Sequence, residues 1–403
     1  MEQYLRWYRL TDTLDLPTKY ARISLITNQF TQIAHCCFHN KIAYMQQYYK
    51  LFSMKNLRGF LMLCLTVCGS MALSAQDIHF SQFYLSPLNL NPAMTGVMNC
   101  NVRLTANYRN QWASVLKSNA FNTYSVSYDQ RIPVGRYDYF GVGGTFWGDK
   151  AGESQFATVT GKVSASYSKR MGGYRQKSHY LVFGAELGAA QRSIDFINLR
   201  WPIQHDGEGG FNAGQSSMED NLTRDNFLFA DAAAGLLWFS VFDKNNSMYV
   251  GGAFHHLNRA NQSFTEDEED LLFSRFTVHG GGEFLLTDKF GIVPGVIVMS
   301  QGPSFQVNFG TSLKFLLGNS RDNYQAFQVG AWGRLANRFD SGILNDAIIL
   351  STRFDYNNFS LGFSYDMNAS SLRDASNGNG GFEFALVYKI CGPERRNVYC
   401  PNF

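Results

Sequence analysis

Beyond residue 75 the chain has no apolar run that reaches the ~20 residues a membrane-spanning helix needs. With a mean hydropathy of −0.21, this argues against membrane helices and leaves membrane strands open. Charge is sparse and nearly balanced, with 17% charged residues and a formal net charge of +3. No block is dense in Lys or Arg, so nucleic acid is not an expected partner. Neither Gly-x-Ser-x-Gly nor Gly-x-x-x-x-Gly-Lys-Ser/Thr occurs, so nothing points to a serine nucleophile on a tight turn or to a phosphate loop. Proline is scarce, at 9 residues, whereas Gly (37), Phe (34) and Tyr (21) are abundant. That balance suits a β-rich chain with two-sided strands better than an α/β enzyme.

Cysteine is also sparse. Of seven, Cys36 and Cys37 lie in the first 53 residues, and Cys64 and Cys68 lie in "MKNLRGFLMLCLTVCGSMALSAQ", Met54 to Gln76. That stretch has a charged start at Lys55 and Arg58, an apolar run from Gly59 to Leu73, and small residues ending in Ser74-Ala75. This is the order of a secretory signal peptide over 54–75, cleaved after Ala75. A lipoprotein signal ending at Cys68 is the rival reading, and Val67 is larger than the residue it wants there. Residues 1–53 read as an over-extended gene model or an unusual pre-sequence. Cys100, Cys391 and Cys400 remain in the exported part. Cys391 and Cys400 can close a disulfide near the terminus, leaving Cys100 over; spacing equally permits Cys100 to pair with either.

From Asn101 onward, segments of period-two polarity alternate with turn residues. In "SFQVNFGTSLKFLL", Phe305, Val307, Phe309, Leu313, Phe315 and Leu317 share one parity, and Gln306, Asn308, Ser312 and Lys314 share the other. The two sets fall on opposite faces of a strand. "TYSVSYDQ", "FSLGFSYD" and "FEFALVYKI" repeat the pattern. About fourteen such segments run to Ile390, centred near Thr105, Ser125, Gly143, Val163, Ala185, Ala233, Gly251, Gly280, Val296, Gly310, Gly330, Leu350, Gly362 and Leu386. Pro294 and the glycines near Gly280 weaken two of them. The connections alternate roughly long and short, with Asp195–Asp225 and Leu257–Asp270 the longest; "WGDKAGES" and "QGPS" fit less well. A soluble β-sandwich also alternates, but it gives no reason for that asymmetry. The predicted fold is all-β: a transmembrane antiparallel β-barrel of about 14 strands over 101–390, with a short tail over 391–403. Lumenal Arg103, Arg109, Glu186, Glu283 and Arg353 suit its wet interior.

Before the first strand lies "HFSQFYLSPLNLNPAMTG", His79 to Gly96, which has neither helical nor strand periodicity. Together with "YRNQW", Tyr108 to Trp112, it closely resembles the start of the PorP/SprF family, outer-membrane proteins of the type IX secretion and gliding-motility systems of Bacteroidota. "LRWPIQHDGEGGF" before a strand with Asp231 and Gly235, "HHLNRANQSF" from His255, "RFTVHGGGEF" with His279, and the terminal "CPNF" continue the likeness. Ala260 stands where the family more often has Pro. The resemblance spans nearly all of 76–403. It implies a non-enzymatic outer-membrane component of a Gram-negative envelope that cooperates with other secretion proteins and supports export or surface anchoring of secreted proteins. In gliding members the cargo is a large adhesin.

Residues 76–100 accordingly read as an ordered periplasmic segment, docked in the lumen or held against a partner. The candidate docking residues are Phe80, Phe83, Tyr84, Asn91, Pro92, Gly96, Tyr108, Arg109 and Trp112. Asn tolerates turn conformations and Pro fixes φ, while three aromatics are too many for a solvated tail. Both chain termini are expected in the periplasm, with the two longest loops outside. The competing function is a passive channel or small-solute transporter. No cofactor or metal is expected. His255 and His256 should point to opposite faces of a strand, the acidic run Glu266–Asp270 lacks the spacing of a calcium loop, and the sequon Asn221–Thr223 has little meaning in a bacterial outer membrane.

Overall fold

The computed structural model describes residues 77–403 apart from 174–176, 197–198, 200, 207–209, 213, 216–223, 244, 266–268, 320–322, 338–341, 371, 393–399 and 401–403. These residues lie in one compact unit, Ser74–Phe403. Residues 1–53, the expected signal peptide over 54–75, the sequon 221–223 and much of the acidic run fall outside the described residues, as does most of the terminal "CPNF".

Each predicted segment is one strand: β1 (Val102–Gln111), β2 (Phe121–Val134), β3 (Asp138–Ala151), β4 (Phe156–Gly172), β5 (Ser178–Ser193), β6 (Asn226–Val241), β7 (Ser247–His255), β8 (Arg275–Thr287), β9 (Phe290–Gln301), β10 (Ser304–Asn319), β11 (Tyr324–Asn337), β12 (Ile343–Tyr356), β13 (Phe359–Asn368) and β14 (Asn379–Ile390). Every strand pairs antiparallel with its sequence neighbours, and β14 returns to β1 in a register running from Val102↔Ile390 to Gln111↔Gly381. The sheet is a closed barrel. Closure leaves no edge, which is what hydrocarbon demands of backbone N–H and C=O groups. Pro294, which has no N–H to give, falls where the β8–β9 ladder lapses between Gly281↔Gly295 and Phe284↔Ile292.

Alternation sorts the faces. Phe309, Leu313, Phe315, Leu361 and Phe384 stand exposed on the outer wall, while Asn308, Ser312, Lys314, Ser364 and Glu383 are buried inside. No helix among the described residues is long and apolar enough to cross a membrane. One end of the barrel has short connections only: 135–137, 173–177, 242–246, 288–289, 320–323 and 357–358. The other, the loop end, carries 112–120, 194–225, 256–274 and 369–378, with 338–342 and the tight 152–155 and 302–303.

The lumen departs from the wet interior that alternation suggests. Toward the turn end, inward positions of β5 and β6 are apolar and buried: Tyr180, Val182, Leu237, Phe239 and Val241. With Tyr139, Tyr249, Ile297, Trp332 and Ile349 they form a hydrophobic core inside the barrel. In "LLWFSV", 236–241, both faces are apolar because one meets the outside and the other meets packed protein.

The lumenal plug as candidate functional site

What fills that core is the segment before β1. Its local structure follows from its prolines and Asn91. A 3-10 turn at Phe83–Leu85 leads into a helical turn at Pro87–Leu90 and a second 3-10 turn at Pro92–Met94. Pro87 and Pro92 each open a turn, where their missing N–H costs nothing. The Asn91 side chain accepts from Ala93 N at 2.8 Å and caps the last turn.

The segment threads the barrel from mouth to mouth. At the loop end, Asp77 N donates to Gln301 Oε1 at 2.9 Å, and Arg275 Nη1 donates to Ile78 O at 3.3 Å. A little deeper, Ser81 N and Gln82 N donate to the Glu383 carboxylate at 2.7 and 3.0 Å. At mid-depth Asn91 Nδ2 donates to Leu236 O and Gly252 O at 3.1 and 3.2 Å and meets His279 Nε2 at 3.0 Å. Thr95 bonds Ser164 and Ser166, and Gly96 N donates to Asp129 Oδ2 at 2.7 Å. At the turn end Arg131 Nη1 donates to Met98 O at 2.9 Å. This segment is a lumenal plug whose first described residue, Asp77, sits at the loop end, because its turns supply both the apolar residues and the backbone groups that the inner wall is shaped to take.

Two glycines of the wall show how closely it is fitted. A Cβ on Gly235 would overlap Asn91 Oδ1, and one on Gly184 would overlap the Ala93 backbone. Gly235 brings wall backbone against a plug side chain and Gly184 brings it against plug backbone, approaches that only glycine allows.

Charged groups in the lumen are paired with one another and with the plug. Arg103 and Asp129 meet at 2.8 Å, and Arg103 Nη2 also donates to Met94 O at 3.1 Å. Asp366 takes Arg109 at 3.1 Å, together with Arg334 and the Ser81 hydroxyl. Lys314 pairs with Glu283, and Arg353 with Asp355. At the loop end a further cluster joins Lys162 to Glu186 (3.0 Å) and Asp231 (2.8 Å), and His256 to Asp231 and Asp77. Burial by itself depresses the His256 imidazole, but Asp77 and Asp231 outweigh it and hold the ring up at about 8. Burial likewise works against the Asp77 carboxylate, yet His256 and Arg275 hold it well below the usual carboxylate range.

The candidate docking residues separate into two places. Phe80, Phe83, Asn91, Pro92 and Gly96 are buried in the plug, and Arg109 is buried in the wall beneath it. Tyr84 is half-buried and stacks on Trp332 with ring centroids 5.4 Å apart. Tyr108 faces outward from β1, and Trp112, at a φ of 62°, turns the chain into the 112–120 loop and meets Phe121 edge-on.

Two expectations are corrected. Cys391 is bonded to Cys100, not to Cys400, because the β1–β14 register sets residues just outside Val102 and Ile390 side by side. Cys400 is a buried thiol, its Sγ 3.4 Å from the Tyr139 hydroxyl. His255 and His256 do not point to opposite faces: His256 lies past the end of β7 with a φ of 56°, and both side chains are buried inside. Among the described residues no group of His, Cys, Asp or Glu is arranged to hold a metal ion. Sequence reasoning missed Asp77, Asp129, Arg334, Asp366 and Glu383 as plug contacts. The four on strands carried a usable signal, since each is a charge at an inward parity.

The family model for the type IX secretion system membrane protein PorP/SprF matches residues 72–388. No curated protein matches the chain. Among solved structures, CdiB from Escherichia coli is 9% identical with a TM-score of 0.40, over 71% of this chain and 63% of that one. The Ralstonia pickettii toluene transporter TbuX is 9% identical with a TM-score of 0.40, over 76% and 94%. The CymD monoaromatic hydrocarbon channel is 12% identical with a TM-score of 0.40, over 76% and 93%. The chain spans less than two thirds of the length of CdiB from E. coli and of CdiB from Acinetobacter baumannii.

Proposed function

Because this chain belongs to the type IX secretion system membrane protein PorP/SprF family, we propose that it serves as a plugged, non-enzymatic accessory barrel of the outer membrane, supporting export or surface anchoring of secreted proteins. Its partners in this reading are other type IX secretion components, exported surface proteins such as a gliding adhesin, and outer-membrane lipid. The observation that carries the accessory role over a passive channel is the plug: residues 77–98 pass through the lumen and are tied to the wall along their length. A solute path would have to displace them. In the orientation that barrels of this kind adopt, short turns face the periplasm and long loops face outward. Cargo would then meet the loop end, where 194–225 and 256–274 gather.

The test joins two measurements on the full-length protein. In planar bilayers the purified barrel should be electrically silent, and affinity capture from native membranes should bring down secretion proteins. A large, steady open pore with no co-purifying secretion protein would favour the channel instead.

A further inference from the structure

Where the plug enters the barrel, the contacts change character. Below Ser81 the plug is held by apolar packing and by hydrogen bonds to the wall along its length. Above it, Asp77 is held by an ion cluster centred on a histidine. The left-handed backbone at His256 swings its ring into the mouth, so that Nε2 faces Asp77 of the plug and Nδ1 sits 2.8 Å from Asp231 of β6. From the other elements, Arg275 of β8 reaches Asp77 at 3.2 Å, and Lys162 of β4 bonds Asp231 and Glu186 of β5. His255 of β7 stands 3.6 Å from Glu186, and Arg192 of β5 bonds Gln262 in the 256–274 loop. A doubly protonated ring donates to both carboxylates at once. A neutral ring has one N–H, so one of the two buried carboxylates loses the imidazole as a donor and meets a bare lone pair, keeping only Arg275 (Asp77) or Lys162 (Asp231).

We propose that His256 is a proton-operated latch on the plug, holding the arm Asp77–Phe80 in the loop-end mouth while protonated and releasing that arm when it is neutral. Ser81, tied to Asp366 and Glu383, is the hinge point beyond which the plug stays seated. The sign follows from the proton affinity. The seated ring titrates at about 8 against an ordinary 6.5, so protonation and seating favour each other by about thirtyfold. That hold is complete below pH 6.5 and is lost as the pH rises through about 8. The latch depends on the plug geometry and is independent of the secretion role.

The test uses the full chain in proteoliposomes with Ile78→Cys in the arm, labelled by a charged, membrane-impermeant maleimide. Ser114→Cys on the exposed 112–120 loop normalises for the pH dependence of the reagent, and the parent chain supplies the background. The normalised rate at position 78 should rise about tenfold between pH 6.5 and pH 9, with a midpoint near 8. Adding H256Q should make it high at both pH values. Asp231→Asn withdraws one of the charges that raise the ring's proton affinity, so it should move the midpoint to lower pH; it also carries the test if H256Q barrels do not assemble in heat-resistant form. A rate that is flat with pH, protection that persists in H256Q, or a midpoint that D231N leaves in place would each overturn the latch.

Discussion

Individual residues in this barrel are constrained mainly from the inside. Gly235 illustrates it: the added methyl of Gly235→Ala has to displace Asn91 and its cap on the last plug turn. The expected cost is about 1–3 kcal/mol, read as a lower temperature for conversion of the folded to the unfolded band on a gel. Gly161→Ala, where an added Cβ meets nothing within 4 Å, should leave that temperature unchanged. Charges obey the same logic. Asp129 binds Arg103 and the Gly96 N–H with almost no solvent contact. Asp129→Asn leaves a buried guanidinium without its counter-ion, at a cost of about 3–5 kcal/mol. The same gel assay checks it, and a shift no larger than that of Gly161→Ala would contradict the role given to the pair.

At the level of elements, the plug and the wall depend on each other. The apolar inward residues of β5 and β6 have no lipid to face and no water they suit, so removing the plug exposes a hydrophobic interior. Deleting Phe80–Gly96 should therefore impair barrel assembly itself and abolish the heat-resistant band. A deletion that assembles normally while secretion fails would show instead that the segment matters chiefly as a docking element for another protein. The seam between β1 and β14 is held by its ladder and by the Cys100–Cys391 bond just beyond it. Cys100→Ser with Cys391→Ser should cost about 2–4 kcal/mol, and reductant should reproduce that loss in the parent chain and have no effect on the double variant.

For the whole molecule, a closed sheet and a threaded segment together make a membrane cylinder that is also filled. The segment before β1 enters at the loop end and joins β1 at the turn end, so the plug and the last strand, β14, approach the turn end from the same direction. A filled lumen leaves a solute no path that does not displace the plug, which is why conductance and partner capture are the decisive measurements at this scale.

The alternation of single residues determined the strands, their number, the wall's two faces and the asymmetry of the connections. A period of two and a requirement for backbone closure are properties that a linear pattern can carry. The chemistry of the segment before β1 marked it as ordered, since Asn, Pro and aromatics in that mixture need a surface. Only the tertiary structure decided where that surface is. The path through the lumen, the glycines that admit it, the partner of Cys391 and the inward turn of His256 depend on contacts between residues distant in sequence, and on one backbone angle that no periodicity encodes. Ion pairs such as Ser81's neighbours Asp366 and Arg334 were visible as inward charges, but which charge meets which is set by the barrel's register and by what occupies its centre.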